Sequence, residues 1–156
     1  VVAMRLKGVL ADRSAWKATR CSIDRAMGVI GTRSAVLILR EAFYGTTRFD
    51  DFAERVGITE AVAAARLKDL TAAGVFEKSP YREPGQRTRY EYLLTEMGND
   101  LLPIVLGLMQ WGDKYLQDDG GPLRVTADRE PARVDVVGQD GRVRSAENLE
   151  VRARNA

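Results

Sequence analysis

The feature that most constrains the fold is a change of hydrophobic period near residue 74. Upstream, apolar residues recur at helical spacing. Between Val75 and Leu94 they alternate around a polar loop containing Pro84-Gly85, and downstream the helical spacing returns. A chain patterned this way is expected to be mainly α-helical, with one β-hairpin set into it.

Element by element, Ile23, Ala26, Met27 and Ile30 mark one short amphipathic helix. Ala35, Val36, Ile38, Leu39, Ala42 and Phe43 mark a second after Gly31. Gly45-Thr46-Thr47 reads as a turn. Residues 48–56 make two helical turns burying Phe49, Phe52 and Val56, and Gly57 closes them at a position suited to positive φ. Thr59 is a good N-cap for a helix over Glu60–Ala73, Glu60 suits its dipole, and Gly74 ends it. Val75–Ser79 and Arg87–Leu94 have strand character, joined by the loop Pro80–Gln86.

Thr95 caps a long helix expected to run to Gln117, with Pro103 kinking or loosening it because proline offers no N–H. Its Leu101, Leu102, Ile104, Val105, Leu106, Leu108, Met109, Trp111, Tyr115 and Leu116 cover most of the circumference. One face can pack on its own domain; the second needs a cover, most economically the same helix of another chain. Asp118–Pro122 reads as a linker. The tail alternates at Leu123/Val125, Val134/Val136, Val143 and Leu149/Val151, with Asp140-Gly141 as a turn, which suggests two to four short strands. The expected division is an N-terminal helical arm over 1–20, a domain over 21–117 that includes a dimerisation helix (95–117), and a linker with a small β appendage over 118–156.

Composition narrows the chemistry. The 156 residues are 45% hydrophobic and 29% charged, enough for a globular core. There is no histidine and one cysteine, Cys21. Counting therefore excludes a His-bearing triad, a His-ligated metal and a Cys-based zinc site. No intramolecular disulfide can form, which fits a cytoplasmic location. The glycines form neither GxGxxG nor GxxxxGK[ST], and 22 acidic residues supply carboxylate pairs by chance in any sequence. No enzyme, metal or cofactor is expected. Arg5, Lys7, Arg13, Lys17 and Arg20 interrupt the first twenty residues, so no secretory leader is expected there, and no apolar stretch is long enough to span a bilayer. Residues 1–94 carry 16 Lys and Arg against 11 Asp and Glu, while residues 95–156 carry 8 against 11. A basic first part is compatible with a nucleic-acid partner, although a solvated surface would look similar.

The order helix, helix, short helix, capped helix, hairpin, long helix is the plan of a winged helix-turn-helix. The helix at 60–73 follows a three-residue turn, and the hairpin is the wing. Such a helix can enter the major groove, and a wing bearing Arg82, Arg87 and Arg89 can follow the backbone or reach the minor groove. The outward positions of the capped helix are Ala61, Ala64, Ala65 and Lys68. Alanine cannot hydrogen-bond a base edge, though its methyl can pack on thymine. Thr59, Arg66 and Lys68, with the wing arginines, are expected to supply most polar contacts, and DNA shape a large share of specificity. Arg66 could instead brace its helix by pairing with a carboxylate. Arg33 and Arg48, at helix starts, touch phosphates or simply solvate a surface. Leu101, Ile104, Val105, Leu108, Met109, Trp111 and Tyr115 are read as core plus dimer seam.

Several blocks, taken in order, resemble a known family. They are Cys21–Gly31, Leu37–Glu41, Arg48-Phe49, Gly57-Ile58-Thr59, Ala65–Leu70, Ala73–Glu77, Tyr90–Gly98, Leu101–Pro103 and Trp111-Gly112. Together they resemble the HxlR family of bacterial transcription regulators, a dimeric winged-helix group related to the MarR regulators. The resemblance covers residues 21 to about 117. Members usually have a basic residue and Trp after the glycine of the second helix; Thr32-Arg33-Ser34 keeps the base and lacks the Trp. The resemblance also implies a role for Cys21, since a cysteine at this place senses oxidants or electrophiles in some relatives. The neighbouring Arg20 and Arg25 would favour a thiolate, and a buried, inert cysteine is the alternative.

Two functions from different classes follow. The leading one is a homodimeric, sequence-specific double-stranded DNA-binding transcriptional regulator on a pseudo-palindromic operator, its half-sites about 34 Å apart. An oxidant, electrophile or small-molecule effector, the last in a crevice between the long helices and the winged domain, is compatible with it. The alternative is a winged-helix protein-interaction module, its alanine-rich face packed on a protein, that does not bind DNA specifically.

Overall fold

A computed structural model describes residues 2–154. In chain order the elements are β1 (Arg5–Leu6), a 3-10 turn (Gly8–Ala11), α1 (Ser22–Ile30), α2 (Arg33–Phe43), α3 (Phe49–Val56), α4 (Glu60–Ala72), β2 (Phe76–Tyr81) and β3 (Arg89–Leu94). There follow α5 (Glu96–Asn99), α6 (Leu102–Tyr115), β4 (Thr126–Ala127), β5 (Glu130–Pro131), a second 3-10 turn (Ala146–Asn148) and β6 (Glu150–Val151). They form two compact units: Ser22–Arg124, and the described parts of Val1–Cys21 with Val125–Ala156.

In the larger unit, local chemistry sets most boundaries. Thr32 caps α2 by accepting from the Ala35 N–H at 3.1 Å, and Thr59 caps α4 by accepting from Val62 at 3.2 Å. Gly57 ends α3 at φ 75°, a left-handed conformation in which glycine has no steric penalty. Ala63, Leu67 and Leu70 form the buried stripe of α4, which packs with Ile38 and Leu39 of α2, Phe52 and Val56 of α3, and Val75 and Phe76 at the start of the hairpin. The Phe76 ring stands edge-on to Phe52 (centroids 5.9 Å apart) and to Tyr92 (6.4 Å), tying the hairpin root to the helices.

β2 and β3 pair antiparallel, with Phe76 opposite Leu94 and Tyr81 opposite Arg89. The first strand runs past Ser79 through Pro80 and Tyr81, where a loop was expected. A proline is tolerated in a two-stranded ladder when its missing N–H faces outward. The tip is a turn closed by the Gln86 N–H donating to the Glu83 carbonyl at 3.0 Å, with Pro84 and Gly85 at its centre.

The single helix expected from Thr95 to Gln117 is two helices, α5 and α6, separated at Asp100-Leu101. Pro103 lies in the first turn of α6, where no intrahelical N–H is needed, so it starts a helix and kinks none. Gly98 causes the close approach: a Cβ there would collide with the Val75 carbonyl oxygen and the Leu94 side chain. Thr95 pins the junction, donating to the Gly74 carbonyl at 2.5 Å and accepting from the Gly98 N–H at 3.2 Å.

In the smaller unit, residues 2–21 form no α-helical arm. Arg5 and Leu6 pair in parallel with Glu150 and Val151, the Arg5 N–H donating to Leu149 and the Lys7 N–H to Val151. The distant strand satisfies the backbone groups that a helix would otherwise have paired locally, so tertiary pairing overrides the local pattern. β4 and β5 form a hairpin, Asp128 and Arg129 turning at φ 50° and 72°. Val137 bridges Val143 around Asp140-Gly141. The tail is therefore β-like, but its strands are only two residues long.

Candidate nucleic-acid interface

α4 presents a small, open outer face. Ala61, Ala64, Ala65 and Lys68 are exposed, as is the capping Thr59, directly opposite the buried stripe. Arg66 lies to the side and pairs with Asp69 one turn on, Nη1 to Oδ2 at 3.3 Å, the bracing arrangement weighed from the sequence. Arg33, at the start of α2, and Arg87, in the wing loop, are exposed with no ion-pair partner among the described residues. Arg82 bends back, its Nε donating to the Gln86 carbonyl at 2.9 Å, and stiffens the tip.

Arg48 and Arg89 are engaged in ion pairs. Arg48, just before α3, donates from Nη1 to the Glu83 carboxylate at 2.9 Å and lies over the Tyr81 ring at 4.5 Å. Arg89 on β3 donates from Nη2 to Asp50 in the first turn of α3, also at 2.9 Å. That hydrogen bond, with the charge of Tyr81 and of Asp50 itself behind it, raises the Arg89 guanidinium above its ordinary value. The Tyr92 N–H donates to the Thr47 carbonyl at 2.8 Å, so backbone bonding joins the wing to α3 independently of these side chains. Sequence reading missed Asp50 and Glu83. Each lies more than thirty residues from its arginine, beyond any local spacing rule.

Behind α2 and α3 lies a polar network also not foreseen. Glu41 is buried, takes Arg40 at 2.8 Å and accepts the Thr46 hydroxyl at 3.4 Å, while Arg55 donates to Thr46 at 2.8 Å. It fixes the corner between α2 and α3, the scaffold on which α4 sits.

The expected seam residues divide. Val105 is buried in the core and Leu101 packs against it, so these two serve their own chain; Met109 is half-buried. Ile104, Leu108, Trp111 and Tyr115 are exposed, Trp111 at 56% and Leu108 at 52%. Of the residues read as the apolar positions of α1, Ile30 is buried, whereas Ile23 and Met27 are exposed, at 75% and 54%. Cys21 is half-buried just before α1 and is not disulfide-bonded.

The charge division expected at residue 94 falls differently in space. Ser22–Arg124 carries 13 Lys and Arg against 15 Asp and Glu, and the smaller unit holds the basic excess because the N-terminal cations belong to it. Basic character in the larger unit is thus local, at Arg33, Lys68, Arg82 and Arg87. Among the described residues no helix is long and apolar enough to cross a membrane.

A capped second helix with an open outer face, set against an arginine-bearing hairpin, defines the winged helix-turn-helix class. Within that class the chain belongs to the HxlR family, the HxlR-like helix-turn-helix pattern matching residues 29–120. It is 44% identical over 101 residues to the uncharacterized HTH-type transcriptional regulator Rv3095 of Mycobacterium tuberculosis, covering 65% of this chain and 63% of that protein. The match thus spans less than two thirds of that relative's length. It is 28% identical over 113 residues to the HTH-type regulator YdeP of Bacillus subtilis, covering 72% and 87% of the two chains. Among solved structures it is similar to PA1607, a candidate transcription factor, with a TM-score of 0.76 and 34% identity over 89% of this chain and 98% of the other. It also resembles the reduced redox regulator HypR, with a TM-score of 0.53 and 29% identity over 59% and 90%.

Proposed function

We propose that the protein is a homodimeric transcriptional regulator that binds double-stranded DNA, with α4 in the major groove and the β2–β3 wing along the backbone. The observation that carries this reading is the open face of α4. Thr59, Ala61, Ala64, Ala65 and Lys68 have no cover from their own unit, and small side chains let a helix approach base edges closely. Lys68, Arg33, Arg82 and Arg87 supply phosphate contacts. Arg66, braced by Asp69, keeps part of its guanidinium exposed for a base or phosphate. Arg48 and Arg89 border the surface, paired with Glu83 and Asp50.

The homodimer is proposed from the second apolar face. Ile23 and Met27 of α1 and Ile104, Leu108, Trp111 and Tyr115 of α6 are large apolar side chains left exposed in the single chain. A two-fold copy would cover them and set half-sites about 34 Å apart. Cys21 is a half-buried free thiol immediately before α1, and similarity to a redox regulator supports an oxidant as effector.

The test is fluorescence anisotropy of the full chain with duplex from upstream of its own reading frame, beside a scrambled duplex, at two salt concentrations. Tight binding that prefers the upstream duplex and falls steeply with salt is expected; repeating it with a thiol oxidant tests Cys21. The larger unit's acidic excess and its alanine-rich helix face favour a second reading, a protein-interaction module. A folded dimer that binds neither duplex would favour that reading.

A further inference from the structure

We propose that Asp50 and Glu83 set the sequence-independent affinity of the DNA-binding surface, because they hold Arg89 and Arg48 away from the phosphates. The inference rests on the duplex-binding reading above. The arrangement is reciprocal: the start of α3 offers a cation, Arg48, and an anion, Asp50, and the wing answers with an anion, Glu83, and a cation, Arg89.

A purely structural role accounts poorly for these pairs. All four side chains are between 46% and 61% exposed, and ion pairs this open contribute little to stability. The wing root is already fixed without them, by the Tyr92–Thr47 backbone bond, the Arg48–Glu91 bridge and the Phe52–Phe76 contact. What the pairs do decide is where two positive charges point. Arg48 is held over Tyr81 and Arg89 is drawn back to α3, while Arg82 and Arg87 meet no carboxylate among the described residues. Of the three wing arginines and Arg48 before α3, two are therefore available to DNA and two withheld.

The consequence for recognition is direct. Sequence-independent affinity grows with the number of phosphates neutralised, and each contact adds about 0.9 to the slope of log K against log salt. Holding back two cations per subunit lowers affinity for every duplex. Readout by α4 and by DNA shape is untouched, so specific and non-specific binding fall by the same factor and their ratio is unchanged.

The experiment compares the full chain with Asp50→Asn and Glu83→Gln by anisotropy. The probes are a random-sequence duplex and the duplex upstream of its own reading frame, over a salt series, with thermal melting to confirm folding. Each variant is expected to bind both duplexes several-fold more tightly at low salt, with a slope steeper by about 1 per subunit and an unchanged preference for the upstream duplex. Adding Arg89→Ala to Asp50→Asn, or Arg48→Ala to Glu83→Gln, should cancel the gain. Asp50 also sits favourably at a helix N-terminus, so if Asp50→Asn melts, Glu83→Gln in the loop carries the test. Unchanged random-duplex affinity and slope in the folded variants would overturn the proposal. So would single Arg48→Ala and Arg89→Ala variants that weaken random-duplex binding as much as Arg87→Ala, since those cations would then already lie on DNA. Wild-type binding with unresponsive variants removes only this inference, whereas no duplex binding by any form removes the DNA reading as well.

Discussion

The Thr46 hydroxyl donates to the buried carboxylate of Glu41 across the corner between α2 and α3, and accepts in turn from Arg55. One hydroxyl thus joins an anion and a cation that do not touch each other, at a point where Thr46 is only 3% exposed. Thr46→Val keeps the shape and removes the relay, leaving a buried carboxylate one donor short. A loss of about 1–3 kcal/mol is expected, measured as a lower urea midpoint with an unchanged m-value. Thr46→Ser should retain most of the stability.

Gly98 meets the Val75 carbonyl and the Leu94 side chain where any other residue would place a Cβ. Backbone cannot give way as a flexible side chain can. Gly98→Ala should destabilise the protein by about 1–3 kcal/mol, read by thermal or denaturant unfolding. Gly112→Ala meets nothing at its Cβ and lies inside α6, so it should be neutral or slightly stabilising.

Leu108 and Trp111 expose large apolar area on the proposed seam. Leu108→Glu should convert the dimer to a monomer in sedimentation, because a charge at the centre of an apolar contact is costly to bury. Leu101→Ala should instead lower the stability of the subunit, since Leu101 packs against its own core. A Leu108→Glu protein that remains dimeric would place the interface elsewhere.

Lys68 is exposed on the outer face of α4 without an ion-pair partner among the described residues. Lys68→Ala is expected to weaken upstream and scrambled duplexes alike and to reduce the salt slope by about 1 per subunit. A loss confined to the upstream duplex would make Lys68 a base reader.

In the smaller unit, Arg144 beside Asp140 holds that carboxyl below its ordinary value of 3.8, with the Arg142 backbone N–H adding to the effect. A depressed folded value means that the stabilisation is present above 3.8 and is lost as the pH falls through the folded value. The Arg144 amide, which donates to the Val136 carbonyl, should therefore lose hydrogen-exchange protection on acidification. Asp140→Asn should flatten that dependence.

Much of the fold was legible because it is written locally. Thr59, read as the cap of α4, bonds to the amide three residues on, and Gly57, read as the stop of α3, has positive φ. The open alanines and Lys68 of α4 follow from helical spacing. Ile23 and Met27 show the limit: periodicity grouped them with Ile30, yet in the single chain Ile30 is buried and these two are exposed. An amphipathic pattern identifies what wants cover without saying whether the same molecule supplies it.

The sequence alone determined the helix caps, the glycine stop before α4, the hairpin and its turn, because each depends on bonds and sterics spanning only a few residues. Tertiary structure decided that α5 and α6 separate, that Arg5 and Leu6 are strand paired with Glu150 and Val151, and that Arg48 and Arg89 turn toward Glu83 and Asp50. A strand partner, a close backbone approach or a surface ion pair joins groups that lie tens of residues apart. No local period encodes which of many chemically equivalent partners the folded chain brings within reach.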